Sequence, residues 1–486
     1  MPAVIPKILF ASSEAHPLTK TGGLADVSGA LPAALHALGA DIKLLIPGYR
    51  AVLKKCPDTV LVARIPNPFA PGDVAILESR MPDSGIPVLI VCYDKFFNRE
   101  GGPYQQENGE DWPDNPLRFG LLSFVAAWMG SDWNRQTWRP DILHCNDWQT
   151  GLAPAYLHFW SGRKPPVIMT LHNLAYQGIF DKAWLAPLGL PPQSFSMQGL
   201  EYYGNLSFLK AGCFYADRLT TVSPTYANEI QTEAIGFGMH GLLQQRRAVL
   251  QGILNGIDIA EWNPQADPHL LHPYSADDLS GKIACKAALQ AELRLAEDPD
   301  TPLVTIISRI TYQKGSDVML SVMQTLAHEG VQFAVLGSGD RAIENAYLDL
   351  AHTHQGRIAV MIGYDEGLSH RMEAGADLFL MPSRYEPCGL NQMYSQRYGT
   401  PPICHATGGL ADTVVDVTPH TLADGSATGF LMDIVDPQHC IEAVRRAVAL
   451  YHDPALWHGV QIAGMRRDFS WEKSARAYLA LYSNCR

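Results

Sequence analysis

The stretch from Asp377 to Gly399 does most to limit the folds open to this chain. Leu378 to Met381 are all apolar, the pattern of a strand buried on both of its faces. Pro382 and Ser383 follow directly and end that strand. Strands buried on both faces belong to parallel sheets covered by helices, so the stretch favours an α/β fold with doubly wound sheets.

The loop after this strand has the features of an anion-binding turn. Glu386 lies in the loop, and Pro387 suits the first turn of a helix, where a missing backbone N–H costs nothing. The sequence therefore predicts a helix from Cys388 to Arg397 that begins with free N–H groups. Such a helix start attracts a diphosphate, while Glu386 can accept hydrogen bonds from sugar hydroxyls. A capped turn with no ligand is an equal alternative.

Length and pattern predict two domains. A chain of 486 residues is too long for one ordinary core. Strand and helix patterns alternate in the first half and start afresh at Pro302, so we expect one domain over residues 1–245 and a second over 246–465. The remaining residues, 466–486, carry a helical pattern from Ser470 to Tyr482 and predict a terminal packing helix.

Composition and charge exclude several classes of protein. The net charge of −12 argues against a nucleic-acid or anionic-membrane surface, which would require basic patches. No apolar run reaches ~18 residues, and the first residues show no signal peptide. The nine cysteines show no CxxC spacing and there is no HExxH, so we expect reduced cytoplasmic thiols and no metal cofactor.

A glycine pair marks a second candidate site near the amino terminus. The strand that ends at Ala11 is followed by a loop and then by helical spacing from Leu24 to Leu38, in which Pro32 is expected to produce a kink or a new start. Gly22 and Gly23 lie in that turn, where a doubly wound sheet admits phosphate groups. The neighbouring Lys20 and Asp26 make a phosphosugar or carbohydrate site plausible, although Asp26 can simply compensate the helix dipole.

Polar residues end two further predicted strands. The segment DILHCNDW, residues 141–148, ends on His144, Asn146 and Asp147, and the segment VIMTLHNLAYQG, residues 167–178, ends on His172 and Asn173. Carboxyl ends of strands in an open α/β sheet face the ligand crevice, so these side chains are expected to converge there. A single histidine is usually structural, but two strand ends of the same character favour a site.

Two cations follow the first strand of the second half. Arg309 ends that strand, and Lys314 follows in the same loop. Opposite the Glu386 turn they would neutralise a diphosphate without a metal ion. Ordinary surface charge is the alternative for both residues.

Together these segments resemble the bacterial glycogen synthase and plant starch synthase family. The resemblance covers almost the whole chain and depends on the order and spacing of nine segments: KTGGLADV, EDWPDNPLRF, HCNDWQT, TLHNLAYQG, SFLKAGCFYADRLTTVSPTYA, ILNGID, SRITYQKG, EPCGLNQMY and TGGLADTV. It implies two Rossmann-like domains facing a cleft, the GT-B architecture, with the last helix crossing back to the first domain. It also implies glucose transfer from ADP-glucose to glycogen or a maltooligosaccharide, with retention of configuration.

The resemblance assigns roles to matching positions. His172, Asp147, Arg309, Lys314 and Glu386 correspond to catalytic residues of the family. The implied substrate contacts are Lys20, Gly22, Gly23, Asp26, Asn173, Asn255, Tyr364, Cys388, Gly389, Leu390 and Asn391. Within this set, Tyr364 matches the aromatic residue that stacks on adenine, and Arg309 with Lys314 matches the diphosphate pair. No position suggests a metal ligand, and the pattern carries no prediction of oligomeric state.

Two departures and two rival functions accompany this resemblance. Tyr394 stands where related retaining transferases often carry a second glutamate, and His240 stands where an acid or amide is expected. A transferase using UDP-glucose or another acceptor is the nearest rival, and a binding protein that has lost its chemistry is the second. The sequence identifies no carboxylate nucleophile, so same-face attack is favoured over double displacement.

Overall fold

The computed structural model describes residues 6–485 and divides into two compact α/β units. Unit 1 comprises the chain up to Gly256 together with the terminal segment from Trp471, and unit 2 runs from Ile257 to Ser470. Each unit is built on its own largely parallel sheet, so the predicted fold class is confirmed.

Unit 1 contains a nine-stranded sheet and a three-stranded sheet within its described residues. Its strands are Lys7–Ala11 (β1), Asp41–Pro47 (β2), Val60–Pro66 (β3), Asp73–Arg80 (β4), Pro87–Cys92 (β5), Ile142–Asn146 (β6), Val167–Leu171 (β7), Ile179–Asp181 (β8), Glu201–Tyr202 (β9), Asn205–Ser207 (β10), Arg218–Thr221 (β11) and Leu250–Gly252 (β12). The large sheet has the order β12-β11-β7-β6-β1-β2-β5-β4-β3, and β4 runs antiparallel to both β3 and β5, whereas the other neighbouring strands are parallel. The small antiparallel sheet has the order β8-β10-β9.

The helices of unit 1 connect these strands. Before the boundary they are Gly23–Ala37 (α1), Arg50–Lys55 (α2), Asp94–Phe97 (α3), Asn115–Gly130 (α4), Ala153–Phe159 (α5), Phe208–Tyr215 (α6), Pro224–Glu229 (α7) and His240–Gln245 (α8). Helix α1 continues through Pro32, so this proline does not reset the helix start, and a kink stays the remaining prediction.

Unit 2 contains a six-stranded, fully parallel sheet in the described part of the chain. Its strands are Leu303–Ile307 (β13), Gln332–Gly337 (β14), Ile358–Ile362 (β15), Leu378–Met381 (β16), Pro402–His405 (β17) and Phe430–Met432 (β18). Their order is β15-β14-β13-β16-β17-β18, so the chain leaves β13 in one direction and returns on its other side at β16. Such a reversal opens a crevice at the carboxyl ends of the two strands.

One predicted helix of unit 2 begins later than expected. The helices of this unit are Ser280–Glu292 (α9), Ser316–His328 (α10), Arg341–Thr353 (α11), Glu366–Gly375 (α12), Asn391–Arg397 (α13), Gly408–Thr413 (α14), Pro419–Ala423 (α15), Pro437–Tyr451 (α16) and Pro454–Met465 (α17). The prediction of a helix from Cys388 was wrong, because Gly389 has φ +71° and its left-handed conformation breaks the helix. Residues 387–390 therefore form a turn ahead of α13.

The terminal helix, Trp471–Ser483 (α18), belongs to unit 1. It packs against α1, and its Ser474 Oγ donates to the backbone oxygen of Leu254 at 2.5 Å. Tyr482 is fully buried and its hydroxyl lies 2.8 Å from Nδ1 of His144 on β6. None of the helices described between residues 6 and 485 combines the length and apolarity needed to cross a bilayer.

Candidate active site

In unit 1 the order in which the chain adds strands to the sheet reverses between the neighbouring strands β1 and β6. The predicted residues lie in the loops after those two strands. From β1 the chain continues to β2 on one side, while β6 lies on the other side. The loop after β1 carries Lys20 and the glycine pair, and the loop after β6 begins at Asp147. The carboxyl ends of β1 and β6 are therefore where ligand chemistry is expected in this unit.

Glu14 is a buried carboxylate at this reversal that the sequence interpretation missed. It accepts hydrogen bonds from the backbone N–H groups of Thr21 and Gly22, the second at 3.2 Å, and from the hydroxyl of Tyr104. Burial raises the pKa of Glu14, although these three hydrogen bonds act in the opposite direction. Glu14 therefore fixes the glycine turn, and its carboxylate oxygens are occupied by hydrogen bonds from N–H and O–H groups of the protein itself.

The glycine turn itself leaves room for a ligand. A side-chain Cβ built at Gly22 or Gly23 would meet no described heavy atom within 4 Å. Lys20 Nζ lies 2.7 Å from Asp26 Oδ1, and the Lys20 side chain is about half exposed at 45%. The ammonium can therefore turn toward an anion at low cost, because surface ion pairs contribute little to stability. The structure brings all four predicted residues of this loop together.

Asp147 and His172 form a buried polar group at the ends of β6 and β7. Asp147 Oδ1 accepts the backbone N–H of His172 at 2.8 Å, and His172 Nε2 lies 3.0 Å from Asn146 Oδ1. Burial raises the pKa of Asp147 to about 7, against the hydrogen bonds from the backbone of His172 and Asn173. Burial also lowers the pKa of His172 to about 3, so its imidazole is neutral.

His144 has a structural role. Its Nε2 lies 2.6 Å from Thr170 Oγ1, and its Nδ1 is engaged by Tyr482 of the terminal helix. Burial lowers its pKa to about 3, so this histidine is also neutral. Both ring nitrogens are used inside the protein, which leaves none for a substrate.

The two predicted asparagines differ in what their side chains contact. Asn173 Oδ1 accepts the N–H of Ala175 at 3.0 Å and shapes the loop after β7. Asn255 follows β12, is 9% exposed, and its Oδ1 has no hydrogen-bond partner among the described residues. A buried amide oxygen without a partner is costly, so Asn255 is better placed than Asn173 to receive a hydroxyl group.

In unit 2, Lys314 and Glu386 meet at the carboxyl ends of β13 and β16. Lys314 Nζ forms a salt bridge with Glu386 Oε2, and Ser383 Oγ donates to the same oxygen at 3.0 Å. Only 14% of the Lys314 side chain and 9% of the Glu386 side chain are exposed. Arg309 is exposed, and no side-chain partner is seen for it within residues 6–485. A buried ammonium and a free guanidinium thus follow the same strand.

The turn after Glu386 is held by contacts from α14. The N–H of Gly409 donates to the backbone oxygen of Glu386 at 3.1 Å, and a Cβ at Gly409 would lie 2.0 Å from the oxygen of Cys388. Asn391 Nδ2 donates to the backbone oxygen of Ile307 at 2.7 Å, which ties the start of α13 to the end of β13. Of the predicted substrate contacts, Cys388, Gly389 and Leu390 therefore lie in one fixed turn, and Asn391 is the first residue of α13 directly after it.

Tyr364 and Tyr394 lie in different environments. Tyr364 follows β15 with 77% of its surface exposed, and its hydroxyl donates to Glu366 Oε2 at 3.3 Å. Tyr394 stacks on Trp262, with ring centroids 3.7 Å apart and planes at 9°. Tyr364 can therefore offer a ring face to a ligand, while one face of Tyr394 is already occupied.

Comparison with known proteins identifies the family. The model for the starch synthase catalytic domain matches residues 7–245, and the model for glycosyl transferases group 1 matches residues 291–455. A glycogen synthase of Nitrosomonas europaea is 52% identical over 482 residues, covering 98% of this chain and 97% of that protein. The chain belongs to the glycogen synthase family. A second glycogen synthase, from Nitrosospira multiformis, is 50% identical over 478 residues and covers 98% of this chain and 96% of its own.

Solved structures agree with membership of the glycogen synthase family. The catalytic domain of starch synthase IV from Arabidopsis thaliana, solved with ADP and acarbose, has a TM-score of 0.88 and 32% identity, with 99% of each chain covered. A sucrose-phosphate synthase from Thermosynechococcus elongatus has a TM-score of 0.59 at 18% identity and shows the shared fold alone, over 99% of this chain and 98% of its own. The predicted resemblance and the glycosyltransferase class are confirmed. The individual residue roles stay predictions.

Proposed function

We propose that the protein transfers glucose from ADP-glucose to the non-reducing end of an α-1,4-glucan, glycogen or a maltooligosaccharide, with retention of the α configuration. The observation that carries the proposal is 52% identity to a glycogen synthase across nearly the whole of both chains. The likeness to a starch synthase catalytic domain bound to ADP and acarbose supports an adenine nucleotide and a carbohydrate as ligands.

Departure of the nucleoside diphosphate is the step that needs most stabilisation. Negative charge develops on its phosphate oxygens as the glycosidic bond breaks, and fixed cations in a dry site stabilise that charge strongly. Lys314 is buried and held in place by Glu386, while Arg309 is free to turn toward a ligand. We assign the two cations to the diphosphate and Glu386 to the sugar hydroxyls. With two cations available, transfer is proposed to need no metal ion.

The residues at the unit 1 reversal are proposed to orient the glucose. Asp147 accepts backbone N–H groups of His172 and Asn173, so its lone pairs are used for positioning rather than for nucleophilic attack. His172 is neutral, and its Nε2 is engaged with Asn146. Asn255 offers a buried amide oxygen to a hydroxyl group. This supports same-face attack, in which the departing phosphate takes the proton of the acceptor hydroxyl, over double displacement.

Competition between donors tests the proposal. The purified protein is incubated with ADP-glucose or UDP-glucose and maltooligosaccharide, and nucleotide release and chain extension are followed, with and without a chelator. Proton NMR of the first product reads the anomeric configuration. ADP release with an α product is the expected result. A preference for UDP-glucose would contradict the proposed donor, and a β product would contradict retention. Binding of ADP-glucose without release of ADP would indicate a non-catalytic protein.

A further inference from the structure

Three side chains with metal-ligating groups meet beside the start of α12 in unit 2. They are Glu261, Glu366 and His370, and one ligand atom of each lies within 4.8 Å of the other two. Glu366 and His370 are four residues apart on α12, so they share one face of the helix. Glu261 comes from the loop after Ile257, far away in the chain.

His370 is prepared as a ligand by its surroundings. The residue is 1% exposed, and its Nδ1 lies 2.7 Å from Asp267 Oδ2. Because a carboxylate only accepts, Nδ1 carries the hydrogen and the lone pair lies on Nε2. Nε2 is buried and has no hydrogen-bond partner in the described part of the chain. A histidine held by a carboxylate through one nitrogen, with the other free, is the usual arrangement around a protein-bound metal.

The supporting groups hold this imidazole rigidly. Trp262 stacks on the His370 ring with centroids 3.9 Å apart and planes at 15°. The hydroxyl of Tyr398 and the N–H of His269, the latter at 2.8 Å, both donate to Asp267. The ring plane, its tautomer and the carboxylate behind it are therefore all fixed before any ligand arrives.

Among residues 6–485, neither Glu261 nor Glu366 forms a salt bridge with a lysine or an arginine. Glu261 and Glu366 bring their carboxylates together, with one oxygen of each within 4.8 Å of the other. Arg371, next to His370 on α12, pairs instead with Glu292 through two hydrogen bonds of 2.8 and 2.6 Å. A divalent ion would remove the repulsion between Glu261 and Glu366 and use the free Nε2 of His370.

We propose that Glu261, Glu366 and Nε2 of His370 bind one divalent transition-metal ion, with Zn²⁺ as the expected occupant. A mixed imidazole and carboxylate set suits Zn²⁺, whereas Mg²⁺ and Ca²⁺ prefer oxygen ligands throughout. The two glutamates are exposed, so water completes the coordination. The ion would join the loop around Glu261 to α12, and the site does not depend on the proposed glucosyl transfer.

Direct metal binding tests this site on the full chain. Tag-free protein is stripped with a chelator, and Zn²⁺ affinity is measured by competition with a chromophoric chelator. The variants are Glu261→Gln and Glu366→Gln, which keep the size of the side chain. Glu442→Gln, at an exposed position of α16 in the same unit, is the matched control. Circular dichroism and thermal unfolding confirm that each variant is folded, and Co²⁺ absorption reports the ligand type.

The expected result is about one Zn²⁺ per chain for the wild type and Glu442→Gln, with affinity lower by about tenfold or more in Glu261→Gln and Glu366→Gln. Co²⁺ should give visible bands without thiolate charge transfer, because no cysteine belongs to the set. Zn²⁺ should raise the unfolding temperature of the wild type more than that of either variant. The proposal is overturned if the wild type binds no Zn²⁺, if both variants bind it as tightly, or if Co²⁺ shows cysteine coordination.

Discussion

Lys314 Nζ donates to Glu386 Oε2 across 72 positions of the chain. The two residues meet because β13 and β16 are neighbours in the sheet, which places the loops at their carboxyl ends side by side. Most of both side chains is removed from water, so the ammonium is held at a defined point where a phosphate oxygen can approach. Fixed positive charge of this kind can stabilise a leaving group without reorganisation.

Loss of either cation should therefore lower turnover. We expect Lys314→Ala and Arg309→Ala each to reduce kcat by about a hundredfold to a thousandfold, the usual effect of removing one preorganised charge-stabilising donor. Initial rates of ADP release at saturating ADP-glucose measure the effect. Arg341→Ala, at another exposed arginine of unit 2, is the control and should retain the wild-type rate. A rate within about threefold of wild type for both variants would remove the leaving-group assignment.

The exposed ring of Tyr364 should contribute to donor binding. Stacking of a base on an aromatic side chain contributes about 1–3 kcal/mol, so Tyr364→Ala should raise the KM for ADP-glucose by roughly fivefold to a hundredfold with little change in kcat. Tyr364→Phe keeps the ring and should behave nearly as the wild type. If Tyr364→Phe raises the KM for ADP-glucose as much as Tyr364→Ala does, the hydroxyl contact with Glu366, rather than stacking, accounts for the effect.

The turn after Glu386 should not tolerate a methyl group at Gly409. A Cβ there would lie 2.0 Å from the backbone oxygen of Cys388, and backbone cannot rotate away as a side chain can. We expect Gly409→Ala to destabilise the protein by about 2 kcal/mol or more and to lower activity, measured by denaturant unfolding and by rate. Gly459→Ala is the control, since no described atom lies within 4 Å of its Cβ position. Equal stability of the two variants would mean that the turn can shift freely.

Burial of neutral His144 should make stability depend on pH. Its pKa is about 3 in the folded chain and 6.5 as the ordinary value, so the unfolded chain binds more protons between these limits. The contribution of His144 is therefore fully present above about pH 6.5 and is lost as the pH falls toward about 3. Asp147, with its pKa raised by burial to about 7 from 3.8, acts with the opposite sign, because its folded form binds the proton more tightly.

A difference measurement isolates the histidine. His144→Asn is compared with the wild type by urea unfolding at several pH values. Between about pH 6.5 and about pH 4, we expect the unfolding free energy of the variant to fall less steeply as the pH is lowered. The slopes of unfolding free energy against pH should differ by up to the equivalent of one bound proton. The groups that are common to both proteins cancel in this comparison. His158→Asn, on α5, serves as the control and should keep the wild-type slope. Parallel curves for His144→Asn and the wild type would contradict a neutral buried His144.

Local sequence determined the strands and the ends that carry polar residues. The predicted strand at residues 378–381 matches the observed one, and the strand predicted to end at Ala11 does end there, because continuous apolar runs bounded by polar or proline residues leave few alternatives. The position of Asp147 and His172 at the ends of neighbouring strands followed from the same pattern. The cations after β13 could also be predicted, since the carboxyl end of a parallel strand is where such a fold binds ligands.

Tertiary structure decided what local pattern cannot encode. Glu14 accepts hydrogen bonds from its chain neighbours Thr21 and Gly22, but only the fold brings Tyr104, ninety positions away, close enough to donate to it as well. The helix predicted at Cys388 began at Asn391, because the backbone of α14 packs against the turn and Gly389 takes a left-handed conformation. Likewise, His370 looks like an ordinary helical residue until Asp267 and Glu261 are brought beside it. A local pattern fixes which face of an element is apolar, but long-range packing fixes which polar atoms meet, because chain distance and spatial distance are unrelated once the sheets have formed.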